Sequence, residues 1–506
     1  MAESAELRRW LHSGTQAVKR ARHRLDSINV FPVADSDTGT NLYLTLQEGN
    51  RAVAKLPATA THREVVAAFA RGALLGARGN SGVIVSQYLS GFLSTLDQRG
   101  GLEKAHPKDI ADALERASDA AYAAVSSPVE GTILSVARAA AKGAHDAADT
   151  RAGREATIVA AVVAARVALA HTHEVLPSAN AAGVVDAGAA GLVLQLEMLA
   201  ETMGGPESLS AIDEVEWEVT ASESGDVIAV RGHHHAHVRG GAYEVMFVVH
   251  TEEDIGPGLR EQLNAIGDSV SVGGTHGVWQ AHVHTDQPER AVALGDGVNA
   301  RQMVVRNVLV GHDTDRSNVG VVALTSCPGL AEPLADAGAV VLVVPDPALL
   351  KKRALRRAVK DASGHAAVVV AGSPALRSAA LRLADRRRKP TLTVLPSVHE
   401  AQVVSAVAAA ALVTPGQHLA AEMAAAVAAT TVGHSSLDSL DDDLDRLVTR
   451  ATEVVTLMLP KGVTPASITS AQASVRALAP AADINVYEGG CHMRGILYGV
   501  EASTGA

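Results

Sequence analysis

The chemistry that decides the interpretation of this chain lies in one stretch, Ile28-Asn29-Val30-Phe31-Pro32-Val33-Ala34-Asp35-Ser36-Asp37-Thr38-Gly39-Thr40-Asn41. Its two carboxylates, Asp35 and Asp37, are two residues apart and can hold a hard cation through oxygen. The helix predicted to start beyond Gly39 would offer free N–H groups to a phosphate. The stretch therefore predicts a metal–nucleotide site. Spacing alone leaves a second interpretation open, an Asp-rich turn with a helix N-cap.

Three better-known motifs can be excluded by position. An EF-hand beginning at Asp35 needs glycine and glutamate where the chain has Thr40 and Leu46. A haloacid-dehalogenase nucleophile motif needs threonine or valine at the position of Gly39. The sequence contains no Gly-Lys dipeptide, which excludes a P-loop. Phosphates would instead be met by metal and by the backbone N–H groups of residues 79–82.

Three further glycine-bearing segments, at residues 76–87, 128–134 and 182–188, follow in the chain. In this order the four segments resemble the DhaL nucleotide-binding domain of dihydroxyacetone kinases. They resemble still more closely the A subunit of bacterial fatty-acid kinase. The resemblance implies a closed barrel of antiparallel helices that holds ATP or ADP at one end, with two Mg²⁺ ions.

The resemblance also assigns the site residues. Asp35 and Asp37 match the metal-ligand aspartates, and Asn29 is the candidate for a third ligand. Ala34 and Ser36 replace the family's usual proline and glycine, so Ser36 would be strained if its position requires a positive φ. The residues expected to face the nucleotide are Asn41, Gly79, Asn80, Ser81, Gly82, Thr132 and Asp186.

Alternating residues of the predicted strand 278–285 put Gln280, His282 and His284 on one face. Such a histidine pair could bind a metal, meet a carboxylate, or simply be exposed on a polar sheet face. The resemblance implies that the pair is required for phosphorylating the acid, with zinc as a further candidate cofactor. Glu244 stands where well-known members have cysteine, so a Cys/His/His zinc site is not available, although Glu244 could supply an oxygen ligand.

The C-terminal third resembles the same family more loosely. Its closing segment, at residues 487–501, has Cys491 in place of a glutamine. The resemblance implies that this region docks a DegV-like protein that presents the fatty acid. Two basic clusters, at 351–357 and 386–389, and a histidine-rich tract at 233–237 are interpreted as solvated segments, with partner docking as the alternative for the basic clusters.

Changes in hydrophobic periodicity along the sequence divide the chain into three predicted domains. Residues 6–204 have helical periodicity, and Gly204-Gly205-Pro206 breaks it. Residues 213–312 predict a small α+β domain and residues 317–506 an α/β region with a mostly parallel sheet. The predicted strands are 215–219, 227–230, 243–250, 270–272, 278–285, 319–324, 340–344, 367–371, 390–395, 453–459, 484–487 and 495–501, with one helix near 258–266.

Composition limits the function classes. The 506 residues carry a net charge of −11 and only 3% aromatic residues, which argues against nucleic-acid binding. The two cysteines exclude a disulfide framework and fit a reducing compartment. The N-terminus has no apolar signal region, and apolar stretches such as 403–413 are shorter than the ~18 residues of a membrane span. We therefore expect a cytoplasmic protein without a membrane span.

The resemblance implies a kinase subunit that moves the γ-phosphate of Mg-ATP onto a fatty acid carried by a DegV-like protein, in phospholipid metabolism. A homodimer is compatible with this prediction. Two alternatives stay open: a dihydroxyacetone-type kinase, for which no ketone-binding region is found, and a non-catalytic nucleotide-binding scaffold, which the departures at Ser36, Glu244 and Cys491 allow.

Overall fold

The structure is a computed structural model that describes residues 4–32, 34–210, 241–275, 277–300, 303–310, 319–362, 366–385, 391–414, 418–436, 439–460, 462–489 and 493–502. The described chain forms two compact units. The first comprises the residues up to Gly241 together with His250–His284, and the second comprises Ala242–Val249 together with the residues from Thr285 onward. The predicted domains 6–204, 213–312 and 317–506 do not coincide with these units, because the middle segment is shared between them.

The first unit is built mainly from helices. They are α1 (Ala5–Ser27), α2 (Thr38–Val53), α3 (His62–Gly76), α4 (Gly79–Gln98), α5 (Pro107–Ala124), α6 (Ile133–Asp149), α7 (Arg154–Ala170), the short α8 (Thr172–Val175) and α9 (Pro177–Ala182), and α10 (Ala187–Gly204). Each long helix packs against the next, and α10 packs back against α1. The expected closed helical barrel is therefore present.

The barrel closes along the contact between α1 and α10. The Trp10 indole Nε1–H donates to the Gln195 carbonyl at 2.9 Å, and the Gln195 side-chain Nε2 donates to the Gly14 carbonyl at 2.9 Å. A Cβ at Gly14 would collide with Gln195 Oε1, so a larger residue here would displace the Gln195 amide from its bond to the Gly14 carbonyl. Trp10 also packs edge-on against Phe92 of α4, with ring centroids 5.3 Å apart. These contacts join the two ends of the helical segment through the core.

Successive long helices run in opposite directions, as short connections between packed helices require. Asp26 near the end of α1 accepts a hydrogen bond from Thr40 near the start of α2, at 2.8 Å. His62 at the start of α3 similarly contacts Asp97 near the end of α4, at 3.2 Å. The N-termini of α2, α4, α6 and α10 therefore lie at one end of the barrel. Each of these helix starts adjoins one of the four segments singled out in the sequence.

The remaining elements follow in chain order. They are β1 (Tyr243–Val249), α11 (Gly256–Asn264), β2 (Asp268–Thr275), β3 (Val278–Thr285), α12 (Pro288–Gly297), β4 (Met303–Asn307), β5 (Val319–Thr325), α13 (Ala331–Asp336), β6 (Val340–Val343), α14 (Lys352–Ala362), β7 (Ala366–Ala371), α15 (Pro374–Ala384), β8 (Thr391–Val394), α16 (Glu400–Leu412), α17 (Leu419–Ala429), β9 (Thr430–Ser435), α18 (Leu440–Leu447), β10 (Thr452–Leu459), α19 (Pro465–Leu478), β11 (Asp483–Glu488) and β12 (Ile496–Ala502). Short 3₁₀ turns lie at Leu102–Lys104, Pro206–Leu209, Pro328–Leu330 and Pro347–Leu349.

The hairpin of β2 and β3 belongs to the first unit and packs on the barrel. The strands are antiparallel, with Gly273 opposite Gln280. Ser126, which follows α5, donates to the Val270 carbonyl through its backbone N–H at 3.3 Å and its hydroxyl at 3.1 Å. Trp279 covers the other face of the hairpin, against Gly274. The hairpin thus carries its polar face toward the helices.

The second unit contains two sheets. In the larger one the strands lie in the order β1-β4-β6-β5-β7-β8, and β5 to β8 are parallel to one another. The smaller sheet has the order β11-β10-β12-β9. Helix α16 packs against strands of both sheets. The expected parallel arrangement is present for β5 to β8, whereas β4 pairs antiparallel with β1 and β6. The smaller sheet is mostly antiparallel, with β10 and β11 as its parallel pair.

Most of the predicted strands are confirmed, and two observed strands were not predicted. β4 has a short apolar run, and β9 is a polar edge strand paired with β12 alone among the described strands, so neither has a clear periodic signal. Because β9 pairs with β12, the smaller sheet begins in the chain at Thr430. The predicted strands 215–219 and 227–230, the tract 233–237, the basic run 386–389 and Cys491 lie outside the described residues.

One of the basic residues interpreted as solvated is instead buried. Arg357 on α14 is 10% exposed, lies 3.6 Å from Asp361, and donates to the Met246 sulfur at 2.8 Å. Lys351 and Lys352, in contrast, are exposed as expected. The interpretation of a solvated face is therefore wrong for Arg357, because the amphipathic helix α14 turns this position toward β1.

Candidate nucleotide and metal site

The acidic loop joins α1 to α2, and asparagine side chains hold both of its aspartates. The Asn29 amide donates to Asp35 Oδ1 at 2.7 Å, and the Asn41 amide donates to Asp37 Oδ1 at 2.6 Å. Asn29 is 4% exposed and Asn41 7%, so each buried amide fixes a more exposed carboxylate. Asn29, expected as a third metal ligand, is seen here orienting Asp35.

Ser36 between the two aspartates adopts φ = +54°. This is the left-handed region, which costs roughly 1–2 kcal/mol for a residue with a Cβ. The glycine that the family usually has at this position would avoid that cost. Strain is expected at Ser36 if its position requires a positive φ, and the observed φ meets that condition. The loop adopts this conformation with serine in place of glycine.

Asp26 is a third carboxylate at this end, and the sequence reasoning missed it. Its two oxygens accept from the Thr40 N–H and hydroxyl, each at 2.8 Å. Burial raises the pKa of the Asp26 carboxyl, the Thr40 bonds oppose the rise, and the charge of Asp37 adds to it. Asp26 lies nine residues before Asp35, in the last turn of a helix, so only the folded chain brings it to the acidic loop.

The glycine segment forms the first turn of α4. Gly79 begins the helix with φ = +56°, so the N–H groups of Gly79, Asn80 and Ser81 belong to the unpaired start of a helix. The N–H of Gly82 donates to the Arg78 carbonyl at 2.9 Å. Gly82 therefore has no free N–H for a phosphate, and the expectation of N–H donors at residues 79–82 holds for residues 79–81 alone.

A threonine connects the glycine segment to the acidic loop. The Thr45 hydroxyl donates to the Asn41 carbonyl at 2.7 Å and accepts from the Arg78 N–H at 3.2 Å. A Cβ at Gly82 would lie 2.6 Å from this hydroxyl, so the glycine is needed for the close approach. The first turns of α2 and α4 are thus fixed to each other.

The third and fourth segments serve as helix caps. Thr132 caps α6, where its hydroxyl accepts from the Leu134 N–H at 3.3 Å. Asp186 caps α10 by accepting from the Ala189 N–H at 2.7 Å, and it also accepts from the Ile133 backbone. Asp186 thereby joins the starts of α6 and α10. The expected nucleotide-facing role of Thr132 and Asp186 stays a prediction.

The donor set at this end of the barrel suits a hard cation and a polyphosphate. Asp35 and Asp37 carry carboxylates, which are ligands that Mg²⁺ prefers, and neither residue is buried. The start of α4 offers N–H groups and the positive end of a helix dipole. The residues present therefore fit Mg-ATP or Mg-ADP.

The histidine pair lies on the hairpin and is buried. His282 is 0% and His284 5% exposed, with ring centroids 4.9 Å apart. The Ser269 carbonyl lies 3.1 Å from His282 Nδ1, so the Nδ1–H donates to it. The interpretation as exposed histidines on a polar sheet face is wrong, because this face packs on the barrel.

Glu244 belongs to the second unit. It is 4% exposed and forms a close ion pair with Arg306 of the neighbouring strand β4. The carboxylate therefore has a cationic partner within its own sheet. A zinc ion at this position stays an untested expectation.

Comparisons with known proteins match two parts of the chain. Residues 32–201 match the family model described as "DAK2 domain", which makes the helical part of the first unit similar to a dihydroxyacetone-kinase-like domain. Residues 240–303 match the model for the middle domain of proteins like the A subunit of fatty acid kinase. Over these two ranges the chain is similar to the fatty acid kinase A subunit, which confirms the resemblance drawn from the four segments.

The curated relatives include protein YloV of Bacillus subtilis. It is 32% identical over 286 residues, which cover 54% of this chain and 50% of the relative. An uncharacterized protein of Staphylococcus saprophyticus is 30% identical over 350 residues, 65% of this chain and 62% of that protein. The chain therefore spans about half to three fifths of the length of these relatives.

Among solved structures, a DegV family protein from Corynebacterium glutamicum aligns with 37% of this chain and 97% of its own. The TM-score is 0.30 and the identity 13%, so this similarity carries no argument about fold or partner. The DegV-like character expected for the C-terminal region stays a prediction.

One helical stretch of the described chain, Arg154–Val175, is long and apolar enough to cross a membrane by length and composition. This corrects the expectation that all apolar stretches are too short. A single such helix is weak evidence, and α7 packs between α6 and α10 as part of the barrel.

The strain at Ser36 gives a stability prediction. Ser36→Gly should raise the free energy of unfolding by about 0.5–1 kcal/mol, because the relief of the left-handed serine exceeds the entropy that glycine loses. Thermal or urea unfolding measures the change. Ser13→Gly in α1 is the control and should destabilise by about 0.5 kcal/mol. Equal destabilisation by both variants would contradict the strain.

The cap at Asp186 gives a pH prediction. Burial raises the pKa of its carboxyl to about 6, whereas an unfolded aspartate titrates near 4. The contribution of Asp186 to the free energy of unfolding of the wild type should therefore be greatest below about pH 4. It should decrease as the pH rises toward 6. Asp186→Asn keeps an acceptor without charge, so its advantage over wild type should grow to about 2 to 3 kcal/mol at pH 8.

Urea unfolding between pH 4 and 8 measures this advantage. Asp146→Asn, at an exposed residue of α6 that pairs with Lys142, is the matched control and should show no such growth. A difference between Asp186→Asn and wild type that is constant across pH would show that Asp186 is not a titrating buried cap.

Proposed function

We propose that this chain is the ATP-dependent subunit of a fatty-acid kinase. It would transfer the γ-phosphate of Mg-ATP to a fatty acid carried by a separate DegV-like protein and so form an acyl-phosphate. The observation that supports this most is the common end of the barrel, where oriented aspartates and the open start of α4 are tied together through Thr45. The similarity to the fatty acid kinase A subunit supplies the substrate class.

Phosphoryl transfer needs positioning and charge neutralisation more than covalent chemistry from the protein. Asp35 and Asp37 would hold Mg²⁺ in the orientation that the amides of Asn29 and Asn41 give them. A bound Mg²⁺ supplies neutralisation of the phosphate charge. The N–H groups of residues 79–81 would hold phosphate oxygens. A carboxylate oxygen of the acid then forms a bond to the γ-phosphorus while the bond from phosphorus to ADP oxygen breaks.

His282 and His284 are the candidates for handling the acceptor carboxylate. The Nδ1–H of His282 is fixed by the Ser269 carbonyl, so its ring orientation is set, and a protonated ring could donate to a carboxylate. The aromatic-poor composition also favours a lipid held by another protein, since this chain has only 3% aromatic residues with which to line an acyl pocket. The cytoplasmic location and a homodimer stay expectations.

The first alternative function is a dihydroxyacetone-type kinase, which the DAK2 match favours. Incubating the chain alone with Mg-ATP and dihydroxyacetone distinguishes this activity from that of a fatty-acid kinase, because the fatty-acid kinase should form no product without a partner.

The second alternative is a nucleotide-binding scaffold, which the strained Ser36 keeps open. Tight ATP binding without turnover, with every DegV-like protein supplied, would favour the scaffold.

The metal assignment gives the third prediction. Asp35→Asn and Asp37→Asn should each lower acyl-phosphate formation by about 100-fold or more, because loss of a metal ligand removes several kcal/mol of transition-state stabilisation. Hydroxamate trapping of the acyl-phosphate, with a DegV-like protein loaded with fatty acid, measures the rate.

Asp146→Asn is again the control and should keep wild-type activity. Each variant should unfold at a temperature close to that of wild type, since neither aspartate is buried. Full activity in both site variants would overturn the metal assignment.

A further inference from the structure

The histidine strand touches the glycine segment through one buried side chain. Gln280 on β3 is 0% exposed, and its Nε2 donates to the Ala77 carbonyl at 2.8 Å. Ala77 lies between α3 and α4, directly before Arg78 and the first turn of α4. Both residues belong to the first unit. The contact therefore joins the hairpin to the residues that start the phosphate-facing helix.

The peptide unit between Ala77 and Arg78 is held by hydrogen bonds at both its carbonyl and its N–H. The peptide unit between Ala77 and Arg78 is planar, so its carbonyl and N–H point in fixed opposite directions. Gln280 holds the carbonyl, and the Thr45 hydroxyl holds the N–H at 3.2 Å. Thr45 in turn donates to the Asn41 carbonyl. One peptide unit thus connects the acidic loop, the start of α4 and β3.

Gln280 also shares a strand face with the histidines. Side chains two residues apart on a strand point to the same side, roughly 7 Å apart along it. The residues opposite on β2 are Gly273 for Gln280 and Ser271 for His282. Gly273 leaves space for the Gln87 side chain of α4, because a Cβ there would lie 2.8 Å from it. The hairpin therefore meets α4 closely at the level of Gln280.

Burying a glutamine at position 280 lowers the free energy of unfolding. Its Oε1 is buried and accepts no hydrogen bond from the described residues, and an unpaired buried polar atom is destabilising. An apolar side chain of similar size would fill the space without that cost. The single bond to Ala77 is what the glutamine adds, so its contribution lies in the position of that carbonyl.

We infer that Gln280 is a positioning residue for the nucleotide site. It holds the Ala77–Arg78 peptide so that the N–H groups of residues 79–81 keep their direction, and it keeps the histidine strand in a fixed position relative to them. This inference rests on the proposed function for its consequence in catalysis. Its structural part concerns the order of the segment and holds with or without nucleotide.

The experiment compares Gln280→Met with Gln195→Met. Gln195 is also buried and also donates from Nε2 to a backbone carbonyl, that of Gly14, at 2.9 Å, but it lies at the seam of α1 and α10. Both variants lose one buried amide bond and should lose similar thermal stability. Within residues 76–82, the hydrogen-bonded amides are those of Ala77, Arg78 and Gly82. Hydrogen exchange measured by mass spectrometry on the nucleotide-free chain should show these amides exchanging about 5- to 10-fold faster in Gln280→Met only.

Isothermal titration with Mg-ADP tests the consequence. Gln280→Met should bind Mg-ADP about 5- to 10-fold more weakly than wild type, and Gln195→Met should remain within about twofold, because only the first variant loosens the segment that holds phosphate. If wild type binds no Mg-ADP, the proposed function fails, and the exchange measurement alone decides the role of Gln280. Unchanged exchange at residues 76–82 in Gln280→Met would overturn the inference.

A second pair of variants tests the inference if the methionine variants fail to fold. Gln280→Asn and Gln195→Asn keep an amide but shorten the side chain by one methylene, so neither can reach its carbonyl in the same way. The same selective increase in exchange at residues 76–82 is expected for Gln280→Asn. Equal effects of the two asparagine variants on that segment would contradict a positioning role.

Discussion

The alternating direction of the barrel helices is the constraint on which the rest of the first unit depends. Because neighbouring helices are antiparallel, every second N-terminus lies at the same end, and four segments distant in sequence are brought together. Trp10, Gln195 and Gly14 join α1 to α10 and so close the ring of helices. The N–H groups, carboxylates and caps at this end are therefore a consequence of helix topology combined with short, specific loops.

The polar groups at that end have distinct tasks. Asn29 and Asn41 orient carboxylates, Thr45 fixes α2 to α4, and Asp186 joins α6 to α10. Two of the residues expected to contact the nucleotide, Thr132 and Asp186, are occupied as helix caps. Residues that the resemblance places beside a nucleotide can thus hold helix ends in place.

The sequence predicted the local features at this end of the barrel. Asp35, Asp37 and the glycines at the start of α4 are adjacent in sequence to the helix starts they serve, so their spacing carries the information. The φ of Ser36 could be anticipated because glycine is usual there. Asp26 could not, because its role arises where the end of α1 meets Thr40. The contact between Gln280 and Ala77 joins residues 203 positions apart and depends on packing of the hairpin. Likewise β4 and β9 form through pairing rather than through a periodic pattern of their own.

The location of the nucleotide and its metal can be decided by a crystal structure of the chain with Mg²⁺ and a non-hydrolysable ATP analogue. We expect metal bound to Asp35 and Asp37, with phosphate oxygens at the N–H groups of residues 79–81, at the end of the barrel where α2, α4, α6 and α10 begin. A nucleotide bound at the opposite end of the barrel, or metal bound away from both aspartates, would contradict the proposed site.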